Sequence, residues 1–344
     1  MLGRHPLTLA LLLAVAAGPA LAAKSPAPAA KPAVSIDKQQ AARNQALLAF
    51  QKDLVSVIAP QALPTPLLGG ALLARPLTNQ PDFNSFHTLI NRAEQAEGAG
   101  PEINWVRLSD CDAKADDCPN SDAMNKLTAQ VPDNAAVWLL KLAQDVRDTK
   151  SDAAREDLAK AASAKLYDDY TGASLKALAT TVTLLPPPQA VINPLSATGA
   201  VGVQMTMVFG LAETQPQPGL QATSRLCEDG VGDASIKADC LKLGKLLEWG
   251  SSPLARSLGL HLREVLADDA AQQDDAKRAR RNLVWQVQNF SQLSARAQGD
   301  AAIAQHLMAL ARSGGNQMSL MLTALHDYEI PVDAPADWET DKAG

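Results

Sequence analysis

Residues 132–162 read PDNAAVWLLKLAQDVRDTKSDAAREDLAKAA, and their spacing decides the fold class. Val137, Leu140, Leu142, Ala143 and Val146 follow the pitch of an amphipathic helix rather than the two-residue alternation of a strand. Asp133 or Asn134 offers the side-chain oxygen that an N-cap needs. After a turn at residues 148–151, the pitch resumes with Ala154, Leu158, Ala161 and Ala162. Two short helices joined by so short a turn are expected to pack as a hairpin.

The same pitch extends toward the N-terminus. Residues 36–59 place Leu47, Leu48, Phe50, Leu54, Val55 and Ile58 on one face, with Lys38, Arg43 and Lys52 for the wet side. Pro60, Pro64 and Pro66 end that helix, and Gly69-Gly70 marks a loop. Phe83, Phe86, Leu89, Ile90 and Ala93 form a second stripe, stopped at residues 98–101. Residues 108–121 read as an acidic loop.

Toward the C-terminus, residues 167–170 (YDDY) are expected to open a helix through Leu175, Leu178 and Val182, with an Asp as cap. The triple proline 186–188 is the clearest break in the chain. No charge occurs between Lys176 and Glu213. Pro194 and the prolines divide that stretch, and Ser196, Gln204 and Thr206 dilute it, so it reads as a buried central helix rather than a span of ~20 residues. Ile236, Leu241, Leu243, Leu246 and Leu247 then run to Gly250, and Ser252 with Pro253 starts the next helix. Asp274 and Arg278 are spaced to pair on a solvated face, ahead of a core stripe of Leu283, Val284, Val287, Phe290 and Leu293. Two short helices follow, over 301–312 and 316–328. From Pro331 the chain reads as a tail with Trp338 against the body.

The expected fold is therefore all-α: stacked helical hairpins, arranged as an α-solenoid or an irregular helical bundle. Composition agrees, since 47% of residues are hydrophobic but only 4% aromatic, leaving Ala and Leu to supply the apolar surface. The expected organisation is a secretory signal over 1–22, an Ala/Pro linker over 23–35, helical regions over 36–185 and 189–330, and a tail over 331–344. Arg4, the apolar run 7–17 and Ala20-Leu21-Ala22 carry the signal reading, which implies a periplasmic or secreted protein with no membrane span after cleavage.

In such a compartment four cysteines read as two disulfides. Four allow three pairings, and the local ones, Cys111–Cys118 and Cys227–Cys240, are favoured because each pair lies in one short segment. Zinc is the rival, but neither spacing is C-x2-C, and no C-x-x-C is available for redox catalysis. The formal charge of −6 and pI of about 5.4 leave no electrostatic footprint for nucleic acid or an anionic membrane surface.

Residues 132–162 also resemble one tetratricopeptide repeat: Trp138, Ala154, Leu158 and Ala161 sit at the offsets that motif uses. Leu142 stands where the motif has Gly or Ala, and Asp145 where it has Tyr. A solenoid takes about three or more repeats, and no second copy recurs at fixed period. The chain is similar as well to Ala-rich exported proteins of Gram-negative bacteria, a likeness that implies an address and no activity.

Motifs that carry chemistry are scarce. His87, His261, His306 and His326 form no H-E-x-x-H, and no G-x-S-x-G elbow, P-loop or dinucleotide glycine pattern occurs. Asp110, Asp112, Asp116, Asp117 and Asp122 suit calcium by charge, but Lys114 takes the place of an oxygen ligand and the turn glycine is absent. No metal and no cofactor is expected. Trp138, Tyr167 and Tyr170 remain as a candidate binding surface. The first functional expectation is interaction with a protein or peptide partner in the envelope. The alternatives are a periplasmic enzyme of hydrolase type, which a pocket of converging His and carboxylate groups would reveal, and a purely structural envelope protein.

Overall fold

Fifteen α-helices account for most of residues 34–111 and 118–339, which the computed structural model describes. The signal and most of the expected linker, together with Asp112, Lys114, Asp116 and Asp117, lie outside them. The fold is all-α, and among the described residues no strand forms. The first helix, α1 (Val34–Ile58), begins two residues before the expected start at 36. Residues from Ala41 onward form the second of two units.

Within the second unit, helix starts follow local chemistry. Side chains of Ser85, Asn120, Asn134, Asp233, Asp269 and Asp300 accept first-turn N–H groups of α3 (Phe86–Gln95), α5 (Ser121–Gln130), α6 (Ala135–Arg147), α11 (Ala234–Leu247), α13 (Ala270–Ala297) and α14 (Ala301–Ser313). Asn316 and Ser319 close a reciprocal capping box on α15 (Gln317–Asp327). Proline opens α2 (Pro64–Ala74), α4 (Pro101–Arg107) and α12 (Pro253–Leu266). The remaining helices are α7 (Ser151–Ser163), α8 (Thr171–Thr181), α9 (Gly199–Ala212) and α10 (Leu220–Asp229).

Two expectations need correction, one at Gly69-Gly70 and one along α13. Gly69-Gly70 is no loop: both glycines are buried inside α2, and a Cβ on Gly69 would strike Thr181 Oγ1 and lie 2.7 Å from the Ala177 carbonyl of α8. Gly69 gives up helix propensity so that two backbones can meet, whereas a Cβ on Gly70 would strike the Ile58 side chain of α1. The helical regions before and after residues 186–188 share a core. One core gathers Leu54 and Ile58 of α1, Leu72 of α2, Leu178 of α8, Val208 of α9 and Leu307 of α14, drawing on both sides of the prolines. Along α13, Leu283 and Leu293 are buried but Val284 and Val287 are exposed, and Asp274 pairs with Lys277 rather than Arg278, which takes Asp275.

A second core joins Trp105, Leu127, Val137, Leu158, Leu243 and Leu262. Helix α9 has 14 residues, and among the described residues no helix is long and apolar enough to cross a membrane. Both local disulfides are formed, with Cα–Cα distances of 5.3 Å for Cys111–Cys118 and 5.8 Å for Cys227–Cys240. The tail is held over its described residues, 331–339: Trp338 meets Trp285 edge-on at 5.4 Å, and its carbonyl accepts from Arg281 Nε at 3.0 Å.

Candidate functional site

Residues 167–170 form a buried junction. Tyr167 and Tyr170 are 4% and 8% exposed. Tyr170 adopts a left-handed backbone (φ 56°) just before α8. Asn134 organises the approach: its Oδ1 accepts from Ala136 N (3.1 Å) and Asp168 N (2.9 Å), and its Nδ2 donates to Asp168 O (2.8 Å) and Tyr170 Oη (3.1 Å). All four hydrogen-bonding positions of the amide are thereby used. On the far side, Ser251 donates its N–H to the Tyr167 carbonyl, and its Oγ accepts from Asp169 N, which places the α11–α12 turn against the same segment.

Of the expected binding surface, Trp138, Tyr167 and Tyr170, only Tyr170 lines a cleft here. Tyr167 is a core residue, and Trp138, half-buried, packs against the same core, donating Nε1–H to the Pro132 carbonyl at 2.7 Å beneath Lys160 Nζ (4.8 Å from the ring). Tyr170 does reach a cleft of about 330 Å³ with Asp168 and Asn134, but neither Trp138 nor Tyr167 shares it. Burial pushes the Tyr170 phenol up to about 12 and the Asp168 carboxyl above its usual range, with Asp169 adding to the latter. Among the described residues the four histidines do not gather at one site. His87 faces Asp110, His261 faces Glu228, and His306 and His326 share Asp327.

A larger concavity, about 780 Å³, opens between α6, α7 and the start of α10. A closed ring of contacts fixes its walls. Helix α6 pairs with α7, α7 packs on α11, the Cys227–Cys240 disulfide ties α11 to α10, and α10 returns to α6. The last contact is close because residue 219 is glycine: a Cβ there would run into the Ala143 Cβ and the Leu139 carbonyl. Ala143, Val146, Ala154, Pro218, Ala222 and Leu226 supply an apolar lining. Helices α7 and α10 start here on Lys150 and Gly219 without a side-chain cap.

Three arginines from three helices line this groove: Arg147, Arg155 and Arg225. All are exposed. Among the described residues none makes a hydrogen bond or an ion pair, although the field of Arg155 helps to hold Asp233 below its usual range, after that residue's own bonds to Ser235 and Ile236. Two nearby carboxylates, Asp145 and Asp157, are committed to lysines. Lys141 Nζ lies 2.9 Å from Asp145 Oδ2 and 2.8 Å from Asp157 Oδ2, and Lys160 adds a contact to Asp157 at 3.3 Å. Burial pushes the Asp157 carboxyl up, against the pull of Lys141. Sequence reading missed the groove because Arg147, Arg155 and Arg225 each look like an ordinary residue of a wet helix face. Only the α10–α6 contact brings the third beside the other two. Compared with protein-family models, curated proteins and solved structures, the chain finds no match.

Proposed function

We propose that the chain is an exported, non-catalytic interaction protein of a bacterial envelope, and that the α6–α7–α10 groove docks a protein or peptide partner. The secretory reading of residues 1–22 and the two formed disulfides support a periplasmic or secreted address. The tetratricopeptide-like spacing of residues 132–162 supports a hairpin that presents a binding face. One observation carries the reading: a concavity of about 780 Å³ with an apolar lining, its walls held by a closed ring of helix contacts and a disulfide. That volume lies within the roughly 300–1,000 Å³ typical of ligand sites, and fixed walls lower the ordering cost of binding.

The test is capture of a partner from the envelope extract by the mature protein, set against Val146→Trp, which fills the groove from an exposed position. The reading expects one stoichiometric partner with the native chain and its loss with Val146→Trp, at unchanged helicity. A partner retained by Val146→Trp, or no partner at all, overturns it.

A further inference from the structure

The arginines of the groove narrow what it docks. We propose that its occupant is an acidic, extended protein segment in which Asp or Glu side chains flank apolar ones. This rests on the docking reading above and adds the partner's chemistry.

Charge is the first ground. The groove lining holds Arg147, Arg155 and Arg225 against a single carboxylate, Asp229, in a chain whose formal charge is −6. Elsewhere arginines are spent on carboxylates: Arg107 on Asp122, Arg263 on Glu248 and Asp275, Arg280 on Glu264. Arg43, Arg296 and Arg312 also form no hydrogen bond or ion pair with their side chains among the described residues, but none of them lines this groove. The groove gathers three. Two acidic residues stand two positions from its arginines along the chain, Asp145 beside Arg147 and Asp157 beside Arg155. Both are taken by lysines, as Asp148 is by Lys150, and none of the three guanidinium groups donates a hydrogen bond to a described residue. Guanidinium binds carboxylate in a planar, two-pronged geometry, and complementary charge directs partner choice and encounter rate more than bulk affinity.

Shape is the second ground. The arginines come from three walls, with Val146, Ala154, Ala222 and Leu226 between them. A lone small anion would use one wall and leave that apolar lining unused. An extended segment projects successive side chains in opposite directions, so acidic ones can reach the walls while apolar ones cover the lining.

The experiment titrates the full mature chain into a fluorescein-labelled peptide of alternating Glu and Val, with Gln–Val and Lys–Val counterparts, and follows anisotropy. The Glu–Val peptide is expected to bind at least about tenfold tighter than the Gln–Val peptide, and progressively less as salt rises. The triple variant Arg147→Gln, Arg155→Gln, Arg225→Gln is expected to lose that preference. Arg312→Gln, a change at another exposed arginine, is expected to keep it. The three groove arginines are exposed and unpaired, so the triple variant should melt like the native chain. Equal binding of the Glu–Val and Gln–Val peptides, tighter binding of Lys–Val, undiminished binding by the triple variant, or displacement of the peptide by inorganic phosphate at equal concentration would each overturn the inference. If the Glu–Val peptide fails while capture of the partner still depends on Val146, the acidic segment falls and the docking groove stands. If capture fails as well, both fall.

Discussion

Asn134 and Lys141 show how single residues set this structure. Asn134 caps α6 and spends its remaining bonds on residues 168 and 170, so one amide joins a helix start to a segment more than thirty positions away. The capping role was legible, because Asn or Asp before an apolar run signals a helix start. The distant bonds were not, since nothing in a local pattern states what an amide will meet across the fold. Lys141 holds two carboxylates, Asp157 fully buried and Asp145 nearly so. Lys141→Met leaves both without that cation, and the expected loss at neutral pH is about 3–5 kcal/mol by chemical denaturation. The folded Asp157 carboxyl already titrates above its unfolded value. Its contribution to stability is thus present below the unfolded value and lost as pH rises through the folded one. Without Lys141 the folded value moves higher still, so the deficit should be largest near neutrality and shrink on acidification. A deficit that does not vary with pH would contradict this account of the cluster.

Helices were the most legible elements, and their limits follow from physics. Starts at Asn134, Pro253 and Asn316 were readable because caps and prolines act locally. Helix α4 lay between a glycine-proline stop and an expected loop, and α5 was hidden in a polar stretch, because their burial comes from distant partners. The glycines of α2 signalled a loop for the same reason: the benefit of close approach, to α8 at Gly69 and to Ile58 at Gly70, appears only in the packed molecule. The cysteine pairs were legible from spacing, but what the second one does was not. Cys227–Cys240 ties α10 to α11 and thereby closes the ring around the groove. Replacing both cysteines by Ser should cost about 3 kcal/mol by the chain-entropy relation. Amide exchange should speed in α10 more than in α6 and α7. Unchanged exchange in α10 would show that the disulfide does not hold that wall.

At the scale of the whole molecule, composition announced an all-α fold, and the fold has that character. The chain order of the helices did not announce how they would interleave. Segments before and after the triple proline enter the same cores, and the groove depends on that: α10 follows the prolines, whereas α6 and α7 precede them. Trp138, Tyr167 and Tyr170 attracted notice as large aromatic side chains, yet the two tyrosines went to the interior, as bulky aromatics do when a junction needs filling. The account therefore stands on the place where the partner docks. Hydrogen–deuterium exchange of the full chain, alone and with its captured partner, addresses that most directly. Protection on binding is expected within residues 143–155 and 217–229, with little change around Trp285 and Trp338. Protection confined to the α12–α13 surface, with the groove segments exchanging as in the free protein, would contradict it.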